Sequence, residues 1–239
     1  MQKWYRCLRQ NVLPHVFLPF VLLTVTCAGA EPPALPVDNA EELDKIFPVG
    51  EEIKLFDGKT LNGWHVADKS FFQHHGEVTI QKDGVILKKG NPGTGIAWTK
   101  IFPRLNYEIQ LEAKRVAGTD FFCGLTFPYA KSYVSLIVGG WGGGATGLSN
   151  VDKSSAVENE TSTFRDYRQD QWYAIRLQVT EKKIEAWIDD YQIVDLKTKD
   201  REFSIWWEQE PMRPLGFATW YTKAALRNIR LKRLVRSMP

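Results

Sequence analysis

Cysteine is nearly missing from this sequence. Only Cys7, Cys27 and Cys123 occur, and two of them fall in the first thirty residues. One remaining thiol cannot build a disulfide framework, so an apolar core must hold the body together. Cys123 sits in the apolar run "FFCGLTF" and reads as a small buried hydrophobe rather than a nucleophile. Histidine is as scarce. His15, His65, His74 and His75 show no H-x3-H spacing, which leaves no local zinc motif. There is no G-x-S-x-G, so a serine-hydrolase elbow is unsupported. Beyond residue 50 no long segment repeats every 3.6 residues, which argues against a helical domain. Long apolar runs are absent too. Val12 to Val25 comes nearest, and Pro14 and Pro19 interrupt it, so stable membrane insertion is not expected.

That run has a different use. Lys3, Arg6 and Arg9 precede it and Ala28-Gly29-Ala30 closes it, the order of a secretory signal over residues 1–30. The expected location is therefore exported, periplasmic or extracellular. The chain carries 31 basic and 28 acidic side chains, but those three basic residues belong to the leader, which holds no acid before Glu31. The rest balances at 28 of each, and nothing global points to nucleic acid. The basic stretch Arg227 to Arg236 interleaves with Ile229, Leu231 and Leu234, which fits a solvated strand face.

What is present is mostly alternation. Residues 31–51 form a proline-rich leader in which "NAEELDKIF" predicts one short helix. Over 52–236 the pattern is that of one all-β domain. "NYEIQLEAKRV" sends Tyr107, Ile109, Leu111 and Ala113 one way and Glu108, Gln110, Glu112 and Lys114 the other. "WYAIRLQVT", "KIEAWID" and "YQIVDL" read as a meander, with turns at Glu181-Lys182 and Asp189-Asp190. "EIKLF", "SFFQ", "EVTIQ", "GVILKK" and "GIAWTK" are earlier strand candidates, and "PLGFATWYT" and "ALRNIRLKRL" close the chain. Many short strands at this length predict an antiparallel β-sandwich or jelly roll.

The stretch "VGGWGGGATG" contains G-x-G-x-x-G from Gly142 to Gly147. A dinucleotide fingerprint needs a helix after it, and here polar "LSNVDKSS" follows in β surroundings. The glycines fit a sharp bend at the rim of a sandwich that presents Trp141, either to stack on a sugar or to cap the core. Trp206 and Trp220, in looser contexts, are the other aromatic candidates for sugar binding, with Gln110 and Asn159 as polar ones. Paired carboxylates suit glycoside chemistry. Glu158 and Glu160 flank Asn159, which also opens an Asn-Glu-Thr sequon. Glu108 and Glu112 share a strand face, and Asp120 starts the next strand. The expectation is that Glu108 and Glu112 floor a cleft with Trp141 and "ENET" at its rim.

"IKLFDGKTLNGWHV", "NYEIQLEAKRV", "KIEAWIDDYQIVD" and "LGFATWYTKAALRNIRLKRL" together resemble the 3-keto-disaccharide hydrolase family over residues 52–235. The middle, "GTDFFCGLTF" and "SYVSLIVGGW", departs from the family pattern and marks a divergent subtype. The resemblance implies a concanavalin A-like jelly roll acting on 3-keto-glycosides. A base removes the C2 proton, made acidic by the ketone, and the C1 oxygen leaves. The candidates for base or metal ligand are Glu108, Glu112, Asp120, Glu158 and Glu160. Lys114 and Arg115, or a divalent cation, are candidates to stabilise the enolate. The alternative is a lectin-like, non-catalytic carbohydrate-binding module on the same fold.

Overall fold

The computed structural model describes residues 40–82 and 84–235. The expected signal over 1–30 and the leader ahead of Ala40 lie outside the described residues, as does Arg236. All described residues belong to one compact unit, Pro36–Pro239. None of the described helices is long and apolar enough to cross a membrane.

The helix expected in the leader is α1 (Ala40–Ile46), with Glu41 and Glu42 in its first turn and Lys45 in its last. That charge order opposes its macrodipole favourably. Strands follow in chain order: β1 (Glu52–Lys54), β2 (Trp64–Val66), β3 (Val78–Gln81), β4 (Gly84–Leu87), β5 (Gly93–Trp98), β6 (Tyr107–Ala117), β7 (Cys123–Tyr129), β8 (Ser132–Gly140), β9 (Ala145–Ser149), β10 (Thr163–Phe164), β11 (Tyr173–Val179), β12 (Lys183–Ile188), β13 (Tyr191–Lys197), β14 (Gly216–Trp220) and β15 (Lys223–Arg233). They form two antiparallel sheets. The first runs β13-β12-β11-β6-β15-β4-β3, with β1 also on β15, and the second runs β10-β9-β8-β7-β14-β5-β2. This is the antiparallel jelly roll that the alternation predicts. "SFFQ" is the exception among the strand candidates: Ser70–Phe72 makes a 3-10 turn.

The two sheets differ in how their strands are buried. In the first, β6 alternates strictly, with Tyr107, Ile109, Leu111 and Ala113 in the core and Glu108, Gln110, Glu112 and Lys114 turned outward. Neighbouring strands supply matching outward cations. Arg176 on β11 pairs with Glu108 at 3.4 Å, and Arg227 on β15 pairs with Glu112 at 2.5 Å. Trp187 lies under Arg176 and Trp172 under Arg227, at 3.5 and 4.0 Å to the ring centroids. These rings face outward on a charged surface.

In the second sheet every residue of β5 and β9 is buried, and so is all of β8 after Ser132. Alternation vanishes when both faces are covered. The inner face joins the main core through Leu125, Phe127, Leu136 and Phe217. The outer face carries a second apolar cluster of Phe72, Ala97, Phe121, Ile137, Met212 and Ala218. A 3-10 segment, Trp207–Met212, lies over it and seats Met212 in that cluster.

Candidate functional site

Beside that covered patch the second sheet opens into a groove of ≈ 360 Å³, walled by Trp141, Trp206, Trp220, Asp120 and Glu208. Its floor includes Ser135 and Ile137 from β8 and Ser149 from β9.

Each wall is held by a specific local device. Trp141 stands in the hairpin between β8 and β9, where Gly139, Gly142 and Gly143 all have positive φ. Glycine is needed at Gly139 twice over. Its φ is +74°, and an added Cβ would meet Arg115 Nη2 at 2.5 Å and the Phe122 ring at 2.9 Å. Arg115 is the anchor. It occupies a core-facing position of β6, is 5% exposed, and reaches across to the other sheet. Its guanidinium donates to the carbonyls of Gly139 (2.9 Å), Gly143 (2.7 Å) and Tyr167 (3.2 Å). The glycine-rich stretch is therefore a hairpin cradling a buried cation from the opposite sheet.

Asp120 lies just before β7. Its backbone is clamped by the buried Thr222, whose hydroxyl donates to the Asp120 carbonyl and accepts from its N–H, both at 3.1 Å. The carboxylate accepts the Phe121 amide at 2.7 Å. Burial raises the Asp120 carboxyl above its ordinary value. The amides of Phe121, Trp141 and Gly142 and the nearby Arg115 charge pull it only partly back. Trp206 donates through its indole N–H to Ser149 Oγ at 3.2 Å, which fixes the ring beside the floor. Trp220 stacks on Phe121, 6.1 Å between centroids. Ser135 Oγ and Thr126 Oγ1 sit 2.9 Å apart in the floor.

The fold divides the expected site residues. Asp120, Trp141, Trp206 and Trp220 converge on this groove. Glu108, Gln110 and Glu112 lie on the outer face of the other sheet, so the juxtaposition expected of Glu108, Glu112 and Trp141 does not occur. Glu108 accepts from Gln110 at 2.6 Å as well as from Arg176. Glu112 is bound by Arg227 and by Asn228 at 2.8 Å. Burial raises the Glu112 carboxyl, but the hydrogen bonds from Asn228 and Arg227 outweigh it and leave it below its usual value. In "ENET", Glu158 accepts from the Ser155 hydroxyl at 2.6 Å, and Glu160 pairs with Arg201. Asn159 donates to the carbonyls of Leu148 (2.8 Å) and Ser155 (2.7 Å) and so pins β9. Lys114 faces outward over Trp172 at 5.0 Å.

Sequence reasoning missed Glu208 and Gln209, which also line the groove. The dipeptide Trp206-Trp207, followed at once by a carboxylate and an amide, was the available signal. No group of three or more His, Cys, Asp or Glu among the described residues is placed to hold a metal ion.

The model of the 3-keto-alpha-glucoside-1,2-lyase-like domain matches residues 51–232. No curated protein matches the chain in sequence. Among solved structures, the Crh5 transglycosylase in complex with NAG superposes with a TM-score of 0.53 at 14% identity, covering 80% of this chain and 86% of its own. Its apo form gives 0.51 at 13% identity, covering 79% and 85%. The carbohydrate-binding module CBM66 from Bacillus subtilis gives 0.47 at 10% identity, covering 70% and 94%. At such identity the likeness to the transglycosylase shows the jelly-roll fold alone.

Proposed function

The chain belongs to the 3-keto-alpha-glucoside-1,2-lyase-like family, and on that premise we propose that its groove binds a 3-keto-glycoside and that Asp120 is the base that opens it. One observation carries this reading. Asp120 is the carboxylate of the groove that is both fixed by backbone amides and raised above its ordinary value by burial, between indole rings suited to the apolar faces of a pyranose.

The chemistry follows from the ketone. A carbonyl at C3 acidifies the hydrogen on C2, and the Asp120 carboxylate takes that proton. The electron pair moves onto the C3 oxygen as an enolate. Ser135, whose hydroxyl can receive from Thr126 and donate onward, is a floor group suited to that oxygen. The enolate collapses, a C1–C2 double bond forms and the C1–O bond breaks with its electrons on the leaving oxygen. The proton held by Asp120 then passes to that oxygen. Addition of water across the new double bond makes the net reaction a hydrolysis. Trp141, Trp206 and Trp220 hold the ring and exclude water. The basic-then-apolar leader supports action outside the cytoplasm.

Incubation of the purified chain with a 3-keto-glucoside tests the reading. Release of the aglycone is expected, and Asp120→Asn should lower turnover by roughly 10²-fold or more, the usual contribution of a general base. Full turnover by a folded Asp120→Asn variant would remove Asp120 from this role. Sugar binding without turnover by the unaltered chain would favour the lectin-like module, which the indole-lined groove also suits.

A further inference from the structure

Two polar groups of the groove take no part in the elimination. Glu208 Oε2 and Gln209 Oε1 are buried, and neither has a hydrogen-bond partner. Both residues belong to the 3-10 segment Trp207–Met212 and both line the groove. Gln209 is 5% exposed, so its amide cannot be satisfied by bulk water. Two neighbouring acceptors without donors raise the free energy of the empty protein. A ligand that brings donors relieves it.

Charge narrows the ligand further. The groove lining carries two carboxylates, Asp120 and Glu208, and no Lys, Arg or His. The buried cation at the rim, Arg115, directs its two terminal nitrogens to the carbonyls of Tyr167, Gly139 and Gly143. A ring filling ≈ 360 Å³ keeps any substituent near both carboxylates, within a Debye length of about 8 Å at physiological salt.

Resting on the reading of the groove given above, we propose that Glu208 and Gln209 are its hydroxyl-recognition pair, and that they restrict it to uncharged sugars and reject uronic acids and other anionic glycans. Glu208 accepts from ring hydroxyls as a charge-assisted acceptor, Gln209 Oε1 accepts a further hydroxyl, and a ligand carboxylate meets only like charge.

Methyl α-glucoside and methyl α-glucuronide differ only at C6 and are not substrates for the elimination. Titration of each, followed by the emission of the groove tryptophans and by calorimetry, tests the proposal without any variant. The glucoside is expected to bind about tenfold or more tightly than the glucuronide, and the gap should narrow as salt is raised. Glu208→Gln keeps the shape and removes the charge. It should weaken glucoside binding by about tenfold to a hundredfold, the worth of a hydrogen bond to a charged group, and shrink the preference over the glucuronide. Equal binding of the two sugars by the unaltered chain overturns the proposal. So does unchanged glucoside binding by Glu208→Gln with an unaltered melting temperature. If Trp206→Ala abolishes glucoside binding while Glu208→Gln leaves it intact, the groove stands and the recognition pair falls. If neither sugar binds the unaltered chain, the groove reading fails and the pair with it.

Discussion

Replacing Arg115 by methionine keeps most of the side-chain volume and removes every donor. Three carbonyls then lose their partner: Gly139, Gly143 and Tyr167. Each buried acceptor left unsatisfied costs about 1–3 kcal/mol. Part of this is offset, because a buried charge also disappears and Arg115 Nε is itself without a partner. The net loss should be about 2–4 kcal/mol. For a domain of this size 1 kcal/mol shifts the melting temperature by about 2–4 °C, so a drop of roughly 5–15 °C is expected. Urea unfolding followed by far-UV circular dichroism measures the loss without relying on Trp141. Because the same guanidinium holds the hairpin, acrylamide should quench the Trp141 emission more readily in Arg115→Met, as judged against a Trp141→Phe background. Arg115→Lys retains the charge without the planar fork and should fall between the two. A loss below about 1 kcal/mol, with unchanged quenching, would show that the hairpin is held by its own turn geometry and not by the cation.

Four further outcomes follow from the same geometry. Asp120 must be ionised to act as a base, so the acid limb of the pH–rate profile should lie above the ordinary aspartate value of about 3.9. Its raised carboxyl favours folding only while protonated, so this contribution is present at low pH and lost as pH rises through the raised value. Asp120→Asn should therefore gain stability relative to the unaltered chain between acid and neutral pH, and a parallel pair of pH–stability curves would contradict this. For Glu112 the sign is opposite. Its lowered carboxyl contributes above the unfolded value and ceases to as pH falls through the folded one. Glu112→Gln should cost up to about 1 kcal/mol at neutral pH and nothing near pH 2, while glycoside turnover is unaffected. Burial pushes the Cys123 thiol up to about 12, so native protein should resist thiol reagents that label it at once in denaturant, as mass spectrometry will report.

The first sheet was legible in the sequence because one of its faces is wet. On β6, β11 and β12 polar residues alternate with Ile, Leu and Tyr, and the period of two can be read directly. The second sheet was harder because both its faces are dry. β9 was hidden inside a glycine-rich stretch whose Ala-Thr-Gly-Leu-Ser has little strand propensity and is ordered by pairing with β8. The same contrast governs the site. Glu108 and Glu112 stood out because they sat on a readable strand, yet that strand's outward face is a lattice of ion pairs. Asp120, Trp141, Trp206 and Trp220 were found singly, from residue chemistry. Their convergence depends on sheet order and on a 3-10 segment that carries no periodic signal.

The position of β15 has a consequence for how the chain acquires its fold. β15 lies in the middle of the first sheet, pairing with β6 on one side and with β4 and β1 on the other. Leu231 meets Ile109 on one flank and Ile53 on the other. Until this last strand is made, β6 and β4 present open edges and the sheet exists as two unconnected parts. Such a chain has high contact order and folds slowly, with its edges exposed to other chains meanwhile. The first sheet consequently closes only when β15, the last of the described strands, docks between β6 and β4.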